Sequence, residues 1–242
     1  EVHLTGRDHS YTLDQFALWY DNALAELRGI IDLGASPPAI SIAGSGLAIP
    51  LGSLTRDMGI TTNIGGSLSV LGGLTARGTG TPQLVQSLSG SLAIALEDAV
   101  IEGAAYDLLA TDLLEWIYSG AMTDKSTYLD CTMAKFLVKD GIAISDNLYI
   151  ESSKMVATGD IELDLVKQKL DMTLVPRSKS RKLQIPSTVR IHGKLDKLKP
   201  EISPVTALAD ASAMAVLLVP NLAMKLFNVN SDSGKSRRPC EA

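Results

Sequence analysis

Large apolar residues recur at every second position along most of this chain, the spacing that puts alternate side chains on opposite faces of a β-strand. Between Ser67 and Ala76, Leu68, Val70 and Leu74 share one face. Between Gly90 and Glu97, Leu92, Ile94 and Leu96 oppose Ser91, Ala93, Ala95 and Glu97. From Met155 to Leu165 an apolar face carrying Ile161, Leu163 and Leu165 alternates with an acidic one carrying Asp160, Glu162 and Asp164. The polar stretch Lys167-Gln168-Lys169 then leads into Leu170, Met172 and Leu174, again at alternate positions, which predicts an antiparallel hairpin. Asp140-Gly141 predicts another, because that pair supplies the positive φ angles of a two-residue turn. Further strands are expected at residues 2–5, 39–43, 148–151 and 188–195. Over residues 11–33 two periods compete: Phe16, Leu18 and Tyr20 fit a strand, and Leu24, Leu27 and Ile31 also fit a helical stripe that Gly29 weakens.

Three segments break the alternation. Thr81-Pro82 opens a short helix near residues 82–88, with Thr81 in the N-cap position and Pro82 at N1. Leu109, Leu113, Trp116 and Ile117 form a helical stripe over residues 106–118. A longer helix is expected to start at Ser203-Pro204 and to run over residues 204–227. Asp210, Ser212, Asn221 and Lys225 interrupt it, short of the roughly twenty apolar residues a membrane span needs. Its expected role is to cover the end of a sheet, with an interfacial helix as the alternative. The resulting fold class is mainly β with a few helices, its strands largely antiparallel. Along the chain this gives a β-rich continuation of the sheet over 1–46, a main β region over 47–202, a C-terminal helix over 203–228 and a polar tail over 229–242.

Composition sharpens the picture. The 242 residues are 45% hydrophobic and 20% charged, which excludes a disordered chain. A formal net charge of -5 disfavours a nucleic-acid binder, which needs a broad basic footprint. No basic n-region or apolar h-region opens the chain, so it reads as a processed or excised segment whose targeting information lies elsewhere. Two cysteines, Cys131 and Cys240, are compatible with one disulfide in an oxidising compartment or with two unrelated thiols. Paired, they close a loop of about a hundred residues, for which chain entropy gives roughly 4 to 5 kcal/mol.

Catalytic and metal chemistry have no visible carrier. His3, His9 and His192 lie without ligand spacing, and no G-x-S-x-G elbow or nucleophile set stands out. Gly78-Thr79-Gly80 lacks the third glycine of a dinucleotide loop and reads as a turn. Asp160, Glu162 and Asp164 read as a solvated outer face rather than an acid–base pair. No cofactor is expected. A basic run that includes Arg177, Lys179, Arg181 and Lys182 is a candidate for anionic headgroups or an acidic partner, or else a solvated loop.

From Leu47 to Pro204 the order of features resembles the C-terminal region of AsmA-family proteins, a Gram-negative envelope family with TamB-like relatives. Gly66-Ser67-Leu68 into Leu74-Thr75-Ala76-Arg77-Gly78 is similar to its G-x-L-x-x-x-x-x-L-x-A-x-G strand, and Leu88-Ser89-Gly90-Ser91-Leu92-Ala93-Ile94 to its L-x-G-x-L-x-I strand. Ile101-Glu102-Gly103 with Asp107-Leu108 resembles an I-x-G-x-D-L element, with a lengthened gap. Cys131 to Gly141 is similar to C-x-x-A-x-F-x-x-x-D-G, and Gly159 to Leu163 and Leu170 to Leu174 resemble G-x-I-D-L and L-D-x-x-L. Val189 to Leu195 with Pro200 looks like the closing V-x-G-T-x-x-x-P strand.

The resemblance implies a long, curved, largely antiparallel sheet forming an apolar groove that carries phospholipid between membranes, and support of outer-membrane homeostasis without an enzymatic reaction. It implies the periplasm of a Gram-negative bacterium, within an inner-membrane-anchored protein, where Cys131 and Cys240 can pair. Partners are then phospholipid and a membrane surface or envelope proteins, with no nucleic acid. Groove candidates are Leu68, Val70, Leu74, Leu92, Ile94, Leu96, Ile161, Leu163, Leu170, Met172 and Leu174. Each of them equally fits an ordinary buried core, and the competing reading is a protein-interaction module whose apolar core is closed by helices.

Overall fold

The computed structural model describes residues 2–20, 23–57, 59, 63–102, 126–152, 155–179, 187–204 and 240. Twelve strands follow one another in chain order: β1 (Val2–Arg7), β2 (Ser10–Tyr20), β3 (Ala23–Asp32), β4 (Ala39–Pro50), β5 (Asn63–Arg77), β6 (Ser89–Glu102), β7 (Ser126–Lys139), β8 (Ile142–Glu151), β9 (Met155–Asp164), β10 (Lys169–Ser178), β11 (Ser187–Lys194) and β12 (Lys197–Pro204). Their order in space is the same as in the chain, and they make one open sheet. Every neighbouring pair is antiparallel. The expected long, curved, mainly antiparallel sheet is therefore present, and it passes without a break through residue 46, inside β4.

The turns follow from local chemistry. Asp140 and Gly141 have φ of 50° and 77°, the two-residue turn expected of that pair. Asp8 and His9, at 47° and 69°, make the same kind of turn between β1 and β2. Between β9 and β10 the Asp164 carboxylate accepts the backbone N–H of Lys167 at 2.8 Å and pairs with its ammonium at 2.9 Å. Asp160 and Glu162 are exposed as expected, but Asp164 is buried. Its place at the strand end makes it a turn cap rather than part of a solvated face.

The ambiguous segment over residues 11–33 forms two strands, β2 and β3, and not a helix. The short helix α2 spans Thr81–Gln86, but Gly80 rather than Thr81 is its N-cap. Gln83 Oε1 instead accepts from the Thr79 backbone and hydroxyl at 2.8 and 2.9 Å. A second helix, α1 (Leu51–Asp57), was not expected from the sequence. Ser203 and Pro204, read as the start of a helix, close β12 instead, paired with Thr188 and Ser187. An extended conformation suits Ser203, because the residue before proline disfavours the helical region. The stripe over 106–118 and the remainder of the helix expected over 204–227 lie outside the described residues.

Directly paired residues point to the same side of a sheet, so register defines two faces. On the front face the pairs Leu4–Leu13, Phe16–Leu27, Ile42–Leu74, Val70–Ile94, Leu92–Phe136, Ile161–Met172 and Met172–Ile191 carry one apolar surface from β1 to β11. Burial grades along it. Under β7 to β11, Ala134, Leu148, Leu174, Val189 and Ile191 form a closed cluster in which Val189 is 0% exposed. Towards β1 the same face is open, with Leu4, Leu18, Leu27, Ile31 and Ile42 all exposed.

Candidate functional site

A groove of about 370 Å³ lies on the front face across β2 to β6. Its walls include Phe16, Leu27, Ile40, Ile42, Val70, Leu74 and Leu92. Its floor has no side chains where Gly44 and Gly72 pair directly across β4 and β5. A Cβ on Gly44 would stand 2.4 Å from the Glu26 carbonyl oxygen, and one on Gly72 would stand 2.4 Å from that of Ser91. Close strand approach therefore requires glycine at both positions, and the two together leave a channel between the flanking leucines and isoleucines. Glu26 is the one charged residue lining the groove among the described residues, and register with Ala17 and Ser45 puts its side chain on the reverse face. Among the described residues nothing charged projects inward, so they offer contact to hydrocarbon and no anchor for an anionic or cationic group.

The expected groove residues divide into two groups. Val70, Leu74 and Leu92 line the groove. Leu68 and Leu96 pair with each other on the same face beside it. Ile94, Ile161, Leu170 and Met172 pack half-buried against the closed cluster, Leu174 belongs to it at 2% exposure, and half-buried Leu163 pairs with Leu170. The alternation read from the sequence identified the face but not which part of it is covered. Phe16, Leu27, Ile40, Ile42 and Ile49 complete the groove and were missed as site residues. The signal was present in the strand expected over 39–43 and in Phe16, but no spacing rule said that they face Leu74 and Val70.

Charge is concentrated on the reverse face. Lys179 Nζ lies 2.6 Å from Glu151 Oε1 and 3.9 Å from Asp130 Oδ2, so it is engaged with acids there and not at the groove. Arg177 pairs in register with Val156, also on the reverse face, and Arg181 and Lys182 lie outside the described residues. The Tyr149 hydroxyl donates to Glu151 Oε2 at 2.6 Å. Burial, that hydrogen bond and the negative charges of Glu151 and Asp130 push the Tyr149 phenol well above its usual range. Burial alone would raise the Glu151 carboxyl, but Lys179 and Tyr149 outweigh it and hold it below its ordinary value of 4.5. Arg190 binds Asp171 through both carboxylate oxygens, at 2.8 and 2.5 Å, and holds that carboxyl low as well.

A pH dependence follows. Because the folded-state pKa of Glu151 is depressed, its contribution to stability is complete above the unfolded value and is lost as pH falls through the folded one. The stability difference between the native chain and Glu151→Gln should be constant near neutrality and should shrink as the medium is acidified below about pH 4. Urea titrations at a series of pH values measure it. A difference that stays flat down to pH 2 would remove the network from the stability of the sheet.

Cys131 and Cys240 form a disulfide across 109 residues. It lies on the reverse face, where Cys131 pairs with Glu97 and Glu151. The backbone N–H of Cys240 donates to Glu97 Oε1 at 2.7 Å. Among the described residues no group of His, Cys, Asp and Glu is placed to hold a metal ion, and no helix is long and apolar enough to cross a membrane. Comparison with protein-family models, curated proteins and solved structures finds no match to this chain.

Proposed function

We propose that this chain is the lipid-binding part of a periplasmic AsmA-type protein, taking phospholipid acyl chains into the front-face groove on their way between membranes. The observation that carries this reading is the uncharged groove, glycine-floored and lined by Ile42, Leu74 and Leu92, at the open end of an apolar face that runs through the sheet. Its volume falls within the roughly 300–1,000 Å³ of small-molecule sites. Each methylene transferred from water gains about 0.8 kcal/mol, so ten of them supply about 8 kcal/mol before association costs of at least about 4. A bilayer interior offers the same gain, so a chain moves between bilayer and groove without a large free-energy step. Such near-equality suits a conduit, and it requires no catalytic residue. The order of sequence blocks that resembles the AsmA C-terminal region supports the envelope setting, as does a disulfide, which persists in oxidising compartments.

A second reading, an interaction module with a closed core, is favoured by the buried cluster around Leu174, Val189 and Ile191. Native and denaturing mass spectrometry of the chain purified from a bacterial envelope preparation separates the two. Phospholipid that survives gel filtration is the expected result. A well-folded chain free of lipid would transfer the assignment to the interaction module.

A further inference from the structure

We infer that the Cys131–Cys240 disulfide is a redox-sensitive latch on the back of the groove wall. In a single-layer sheet, the strands that build the groove expose a second face to whatever covers it. β5 and β6 carry Val70, Gly72, Leu74 and Leu92 towards the groove, and the intervening Leu71, Ala93 and Ala95 point the other way. That reverse patch is dry: Ala95 and Met133 are both 0% exposed, clustered with Ala93, Cys131 and Tyr149. Among the described residues, the member of this cluster that comes from outside the sheet is Cys240.

Cys240 is held there by two bonds of different kinds. One is the disulfide to Cys131, and the other is its backbone N–H on the nearly buried carboxylate of Glu97. It adopts a left-handed conformation with φ of 59°, which a cysteine holds only where its surroundings dictate it. Cys131 is buried and Cys240 is partly exposed, so an incoming thiolate meets the Cys240 sulfur first. A protein or small-molecule dithiol attacks there, forming a mixed disulfide and releasing Cys131 as a thiolate that takes up a proton. The second thiol of the reductant then displaces Cys240. The protein gains two electrons and two protons as two thiols, and the dithiol leaves as its disulfide.

Once the disulfide is cut, the hydrogen bond to Glu97 is the remaining polar tie on residue 240 among the described residues. Lifting it wets the alanine patch and loosens β5 to β7 from behind. The effect is centred on that wall, because β10 to β12 lie away from the Cys240 patch and pack on the front-face cluster around Leu174, Val189 and Ile191.

Hydrogen exchange read by mass spectrometry on the full chain, oxidised and after dithiothreitol, tests the latch without any lipid present. Exchange at least tenfold faster in β5 to β7, with β10 to β12 unchanged, is the expected result, and Cys240→Ser should reproduce it without reductant. A uniform rise over all strands would overturn the latch in favour of a general staple. No change would show that the patch stays covered without residue 240. A second measurement rests on the lipid reading: release of a fluorescent fatty acid should be at least tenfold faster from the reduced chain. Failure of the oxidised chain to bind that probe would count against the lipid reading, and the exchange profile would still decide the latch.

Discussion

Ile42→Asp is expected to abolish lipid binding while leaving the sheet folded. Ile42 is 42% exposed, so a carboxylate there remains hydrated and adds only a strand-propensity cost of about 1 kcal/mol. An acyl chain entering the groove would strip that water from the carboxylate, and among the described residues no cation projects inward to replace it. Desolvation without a partner costs at least about 3 kcal/mol, and therefore at least about a hundredfold in affinity. Co-purified lipid should disappear from the mass spectrum while the melting temperature stays within a few degrees of the native chain. The same substitution at Leu174, 2% exposed, should instead prevent folding, because that position is core. Retention of lipid by folded Ile42→Asp would mean that the cargo, if any, sits elsewhere on the face.

Gly72→Val should cost stability and binding together. The added Cβ would meet the Ser91 carbonyl oxygen at 2.4 Å and the Leu92 Cα at 2.9 Å, both backbone atoms that cannot rotate away. β5 must then separate from β6 locally, an overpacking penalty of about 3 kcal/mol. For a chain of this length that corresponds to a melting temperature lower by roughly 6 to 12 °C. The side chain also fills the groove floor, so the molecules that remain folded should carry no lipid. Gly65→Ala is the matched control: its Cβ meets nothing nearer than Val100 at 3.7 Å, and its stability should change by less than about 1 kcal/mol. Equal melting of the two variants in calorimetry would dissolve the argument from strand spacing.

Legibility from sequence tracked how many faces of a strand are apolar. Residues 155–165 and 170–174 pair as read because one face is oily and the other charged or polar, which leaves one period possible. β3 was ambiguous for the opposite reason. Its Leu24 lies on the reverse face while Leu27 and Ile31 lie on the front, so apolar residues occur on both sides and the spacing imitates a helix. The helix Leu51–Asp57 left little trace, since Gly52 and Ser53 are poor helix formers. It packs chiefly against β5, and tertiary context sets its conformation. The division of the front face into groove and core was hidden because covering is a long-range property: Val70 and Leu174 alternate alike in sequence and differ only in what lies above them. The glycine floor was likewise hidden, because Gly44 and Gly72 meet through register rather than through any local motif.

A sheet whose strands meet only their neighbours in the chain behaves as a ruler. With strands about 4.8 Å apart, its breadth is set by the number of hairpins, and one inserted or deleted hairpin changes it by about 10 Å without altering any other pairing. No strand waits on a distant partner, so assembly can proceed hairpin by hairpin with little loop-closure entropy, which is the condition for fast folding in a protein otherwise rich in β structure. The breadth of such a sheet is therefore an evolvable length, adjustable in steps of one hairpin.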